Sequence, residues 1–213
     1  QDLSNKYCRS KFLAERYVLD AVVNKGLNAK VMRLGNLSAR SSDGEFQINF
    51  RSNSAMNRLK AFKILECMPY SMQDVLMEFS PINEVAKAVL MLATTPRQCV
   101  VFHPANIHKQ LLGDVVNSLA QMGYKIDLVE DKQYQNSLAE ALNDAGKADV
   151  LQSMMAYQEN IDGKFVVNNQ ADFEFTAQVL YRMGFRWSIT TWDYIEQFLN
   201  SLQGLDFFGE NER

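Results

Sequence analysis

A chain of 213 residues, 47% apolar and 22% charged, is long enough to bury a core of its own. Its net charge of −3 gives no reason to expect a nucleic-acid partner, and with no apolar run near the ~20 residues of a membrane span, no membrane partner is expected either. Cys8, Cys67 and Cys99 lack C-x-x-C spacing and only two histidines occur; with no signal peptide visible, this fits a reducing, cytoplasmic setting and argues against any bound metal.

The first predicted element is a helix from about Ser4 or Tyr7 to Asn24, with Phe12, Tyr17, Val18, Ala21 and Val22 on its apolar side. Gly26 sits where a C-cap belongs. Ala29 to Leu34 reads as a short buried strand. A strand after a helix at this spacing suggests a β-α-β wound sheet, in which ligands sit beyond the carboxyl ends of strands. Gly35-Asn36-Leu37 falls at such an end, where glycine lets backbone approach a ligand closely; a simple turn is the other reading.

Ser38 to Asn53 is polar, broken by the turn signal Asp43-Gly44, with Phe46 and Ile48 as anchors. Ser54 is the expected N-cap of a helix burying Met56, Leu59, Phe62 and Ile64. Val75 to Phe79 is a predicted strand. A helix follows, starting at Ser80-Pro81-Ile82-Asn83, with Glu84 in its first turn and Val85, Val89, Leu90 and Leu92 buried. Cys99 to His103 is another strand; His103 reads as structural. Leu111 to Met122 is a helix closed by Gly123, and Ile126 to Val129 a strand. Helical pattern then runs from Asp131 to Glu159 with a break near Asp144-Ala145-Gly146. Lys164 to Val167 is extended, and Asp172 to Met183 and Thr190 to Leu202 are helical. Trp187 and Trp192 read as packing anchors, and the tail frays after Phe207-Phe208.

Within the first helix, Tyr7 and Lys11 are four residues apart and share a face. An ammonium one turn away favours the phenolate and lowers the tyrosine pKa from its usual ~10, which suits general acid–base work. On spacing alone the plainer reading is favoured: Tyr7 anchors the helix to a core and Lys11 is a solvated charge.

The run Tyr7-x-x-Ser10-Lys11-Phe12-x-Ala14-Glu15, then an apolar helix, a glycine-containing break and Val31-Met32-Arg33-Leu34-Gly35-Asn36-Leu37, resembles the extended short-chain dehydrogenase/reductase family. Within that family it is similar to the thioester reductase domain that ends many nonribosomal peptide synthetases. Asp43-Gly44-Glu45-Phe46-Gln47, Phe79 to Ala86 and Phe185-Arg186-Trp187 carry the likeness over most of the chain. The resemblance implies an α/β fold: the C-terminal part of a Rossmann-like doubly wound parallel sheet plus a mainly helical substrate-binding lobe. Residues 1–53 would belong to the NADP-binding domain and 54–213 to the lobe, with returning strands near 75–79 and 99–103.

It further implies NADPH-dependent reduction of an acyl or peptidyl chain held on a phosphopantetheine-bearing carrier protein, released as aldehyde or alcohol. Tyr7 would donate the proton. Lys11 would tune Tyr7 and bind the nicotinamide ribose, with Gly35, Asn36 and Leu37 bordering the nicotinamide. The family's glycine-rich pyrophosphate turn and its Ser or Thr lie upstream of the tyrosine, and no G-x-G-x-x-G occurs among the ten glycines here. The expectation is therefore a C-terminal piece, inactive alone, whose other partner is the upstream half of the same domain. Two alternatives stand beside it: another extended reductase or epimerase with a small soluble substrate, and a non-catalytic carrier-docking module.

Overall fold

The computed structural model describes residues 6–46, 53–155, 159–161, 164–166 and 173–209. Ile48, Gln47, Val167 and the frayed tail expected after Phe208 fall wholly or largely outside these residues. Helix α1 (Lys6–Lys25) ends on Gly26 in the left-handed region, at φ 65°. It leads into β1 (Val31–Met32) and β2 (Leu37–Ser38). A turn at 41–43, with Gly44 at φ 72°, follows.

The chain continues with α2 (Ser54–Leu65) and β3 (Cys67–Pro69), and a 3-10 turn at Tyr70–Met72 leads to β4 (Leu76–Glu78). Then come β5 (Ser80–Pro81), α3 (Ile82–Ala93), β6 (Val101–Phe102), β7 (Lys109–Leu111) and α4 (Leu112–Gln121). The remaining elements are β8 (Asp127–Val129), α5 (Asp131–Ala141), α6 (Ala145–Met155), β9 (Glu159–Ile161), β10 (Lys164–Val166), α7 (Glu174–Arg182) and α8 (Trp192–Gly204).

Pairing is parallel for β1 with β6, β2 with β5 and β3 with β8. It is antiparallel for β4 with β7 and β9 with β10. The chain is thus mixed α/β with parallel pairs, as expected. Strands 80–81 and 101–102 return to the N-terminal segment, whereas 76–78 pairs with 109–111 instead.

Two apolar clusters form. The larger gathers around Met56, Leu59, Phe62, Leu112, Leu119, Tyr134, Leu151, Phe198 and Phe207, and takes in Ala39 and Phe46. Rings interlock there: Phe198 meets Phe46 edge-on at 5.1 Å and Phe79 at 6.0 Å between centroids. The smaller comprises Val85, Ala88, Leu92, Phe102, Leu180, Phe185 and Trp187, flanked by Met32 and Leu37.

Several expectations need correction. Asn53, not Ser54, caps α2: its Oδ1 accepts the Met56 N–H at 3.2 Å, and Ser54 is already helical. Phe12 and Tyr17 are exposed, not buried; the half-buried apolar residues of this stretch are Val18, Leu19, Ala21 and Val22. Residues 29–34 are not fully buried: β1 is half-buried and Leu34 exposed. Leu90 faces solvent, since α3 packs through Val85, Ala88 and Leu92. Trp192, at the start of α8, is exposed, while Trp187 packs edge-on against Phe185 at 4.9 Å.

Candidate functional site at the carboxyl edge of the sheet

Tyr7 and Lys11 both lie in the first turns of α1, four residues apart. Lys11 is exposed; the Tyr7 side chain is outside what the structure describes. One turn beyond Lys11, Glu15 grips Arg33, which follows β1. Arg33 Nε donates to Glu15 Oε2 at 2.9 Å, and Nη2 donates to Oε1. This bidentate bond, with the guanidinium charge, holds the Glu15 carboxyl below its usual range. Arg33 Nη1 also lies 3.0 Å from His103 Nε2. A guanidinium only donates, so His103 Nε2 accepts and carries its proton on Nδ1. The His103 backbone N–H donates to Thr176 Oγ1 at 2.8 Å. The end of β1, the end of β6 and α1 are therefore joined at one edge.

Gly35 lies at the same edge. Its N–H donates to Pro104 O at 3.2 Å. A Cβ built there would overlap the Glu78 carboxyl and sit 2.7 Å from Ala105 Cβ. The glycine is required because a carboxyl occupies the space a side chain would take. Asn36 N–H donates to Glu78 Oε2 at 3.2 Å, and the Ser80 hydroxyl donates to Oε1. Ser80 N–H bonds Asn36 O at 2.9 Å, and Leu37 pairs with Ser80 in the β2–β5 register. Burial pushes the Glu78 carboxyl above the ordinary range, against the pull of the Ser80 and Asn36 hydrogen bonds.

The network continues outward. Asn106 N–H donates to Ser80 Oγ at 2.8 Å, and Asn106 Nδ2 donates to Ser188 O at 3.1 Å. Ser188 N–H in turn donates to Glu84 Oε2 at 3.0 Å. Nearby, Ser38 Oγ and the Tyr194 hydroxyl lie 2.7 Å apart, and that hydroxyl donates to Ala39 O at 2.8 Å. Burial pushes the Tyr194 phenol up.

Sequence reasoning missed Glu78, Ser80, Asn106 and the Glu15–Arg33 pair. The available signal was an acid between Met77 and Phe79 in an otherwise apolar strand. A cleft lined by Gln73, Asp74, Gly113, Asp114 and Leu128 shares no residue with this edge. Among the described residues no cluster of His, Cys, Asp and Glu could hold a metal ion, and no helix is long and apolar enough to cross a membrane.

Residues 1–89 match the NAD-binding family described as male sterility protein. The chain is 33% identical to the thiolation-reductase di-domain of an archaeal non-ribosomal peptide synthetase, with a TM-score of 0.82 over 98% of this chain and 42% of that one. The chain is related to the reductase domains of nonribosomal peptide synthetases. The aureusimine cluster reductase domain shares its fold at 22% identity and TM-score 0.75, covering 96% of this chain and 52% of that one. So does the terminal R domain of the myxalamid pathway, at 22% identity and TM-score 0.76, covering 97% and 51%. The chain thus spans about half the length of these reductase structures. A comparison with curated proteins finds no match.

Proposed function

We propose that this chain is the C-terminal part of an NADPH-dependent thioester reductase of the cytoplasm. It would release an acyl or peptidyl chain from a phosphopantetheine-bearing carrier protein as an aldehyde or alcohol. The supporting observation is the Glu15–Arg33 grip, which ties α1 to the carboxyl end of β1. At 1.5 Å of rise per residue, Lys11 lies about 6 Å and Tyr7 about 12 Å further along the helix axis. The family match over residues 1–89 supports the same reading.

The residue types present suit the nicotinamide–ribose end of such a nucleotide: a tyrosine and a lysine four residues apart on α1, the helix that Glu15 ties to Arg33, two residues before Gly35. The sequence holds no glycine-rich turn for the pyrophosphate, so this chain would complete a site with the upstream half of the domain. When bound, the nucleotide supplies the hydride that forms the new C–H bond at the thioester carbonyl carbon. Tyr7 gives its proton to the carbonyl oxygen, and Lys11 holds the phenol ready to do so. The C–S bond then breaks, and that proton leaves on the carrier's thiol.

In the complete reductase domain, Tyr7→Phe lowers turnover by about 10²–10⁴-fold while NADPH affinity stays nearly constant. Steady-state kinetics with an acyl-carrier substrate, paired with calorimetric titration of NADPH, checks this. Undiminished turnover removes Tyr7 as the acid. The same titration on the isolated chain is expected to show no tight binding; micromolar affinity there would mean the upstream half is not needed.

A further inference from the structure

Glu78 is an expensive residue to keep where it is. Only 7% of its surface is exposed, and among the described residues no arginine or lysine forms an ion pair with it. Lys109, opposite it in the β4–β7 register, acts only through its field. A buried carboxyl of this kind weakens a fold unless its oxygens are bonded. An apolar side chain would fill the volume at less cost.

What the carboxyl does hold is specific. One oxygen accepts the Asn36 backbone N–H and the other the Ser80 hydroxyl. Gly35 gives up its side chain so that this carboxyl can press against the backbone. The Ser80 oxygen then accepts the Asn106 N–H, so the segments after β1 and after β6 are both referenced to one group.

We propose that Glu78 is the positioning residue of the candidate site: its carboxyl clamps the Gly35–Asn36 backbone and thereby sets the wall against which the nicotinamide lies. The proposal rests on the reductase reading above, which puts residues 35–37 beside the nicotinamide. Glu78 itself touches no reacting atom; it acts through Asn36.

The test uses the complete reductase domain with NADPH, in Glu78→Gln and Ser80→Ala. The amide replaces one acceptor by a donor facing the Asn36 N–H or the Ser80 hydroxyl. The serine change removes one of the two donors and spares the Asn36 bond, so it serves if the first variant does not fold. In Glu78→Gln, Asn36 amide hydrogen exchange is expected to speed up and the KM and Kd for NADPH to rise, each about tenfold. The kcat at saturating NADPH stays within about twofold. Ser80→Ala moves the same quantities in the same direction by less. Faster exchange at Asn36 with unchanged NADPH affinity overturns the proposal, as does no change in either. A fall in kcat alone also overturns it, because that would be direct chemistry. If the unaltered domain binds no NADPH, the reductase reading fails and takes this proposal with it. If the unaltered domain binds NADPH and Glu78→Gln matches it, only the positioning role is lost.

Discussion

In the larger apolar cluster, side chains close on one another from every side; along α1 they do not. Leu59, Phe62, Leu112, Phe198 and Leu199 are fully buried, and Phe208 packs against Tyr124 and edge-on against Phe207. The cluster under the sheet is smaller, and α1 next to it keeps Phe12, Leu13, Tyr17 and Val23 in solvent, with Tyr17 75% and Val23 79% exposed. A helix with apolar residues on more than one face is built to be covered on more than one face. The larger cluster is a finished core, and α1 has the character of an interface.

The sharpest way to break this contrast is to make the same cavity in both places. Leu59 and Leu92 are each 0% exposed, one in each cluster. Leu59→Ala should cost about 4 kcal/mol, because the interlocked rings around it cannot collapse into the space. Leu92→Ala should cost about 2 kcal/mol, since the smaller cluster can relax toward its open flank. Urea unfolding of both variants measures the difference. Equal losses would mean that the two clusters are equally well closed.

A smaller effect of opposite sign concerns a buried polar atom on α2. Arg58 is 7% exposed, its Nε has no hydrogen-bond partner among the described residues, and burial holds its pKa down. A buried guanidinium nitrogen left without a partner weakens the fold around it. Arg58→Met is therefore expected to stabilise the chain by about 1–3 kcal/mol, read as a rise in thermal midpoint. A loss of stability would show that Arg58 has a partner worth more than its desolvation.

How far the fold could be read beforehand depended on how local each signal was. Helix α1 and its stop at Gly26 followed from spacing and one left-handed glycine. The break between α5 and α6 was equally visible at Asp144-Ala145-Gly146. Strands β3 and β7 were not, because each is three residues long and is defined by a distant partner, β8 or β4. At the site, Gly35 was singled out for the right property, the lack of a side chain. What fills the space is Glu78, 43 positions along the chain, and no local pattern announces such a contact. Trp192 misled because a tryptophan at a helix start can remain on the surface while Tyr194, Ile195 and Phe198 do the burying.

The least disruptive change separates interface from surface. Tyr17 belongs to the exposed stripe of α1, so Tyr17→Ser in this chain alone should alter stability by no more than about 0.5 kcal/mol. In the complete domain the same change should cost about 1.5–3 kcal/mol, the worth of a large apolar side chain taken out of water. Paired urea midpoints for the two proteins give the comparison directly. A small effect in both would leave Tyr17 an ordinary surface residue, and the open flank would then need no covering partner. A large effect already in the isolated chain would mean that α1 is packed on that face by this chain itself.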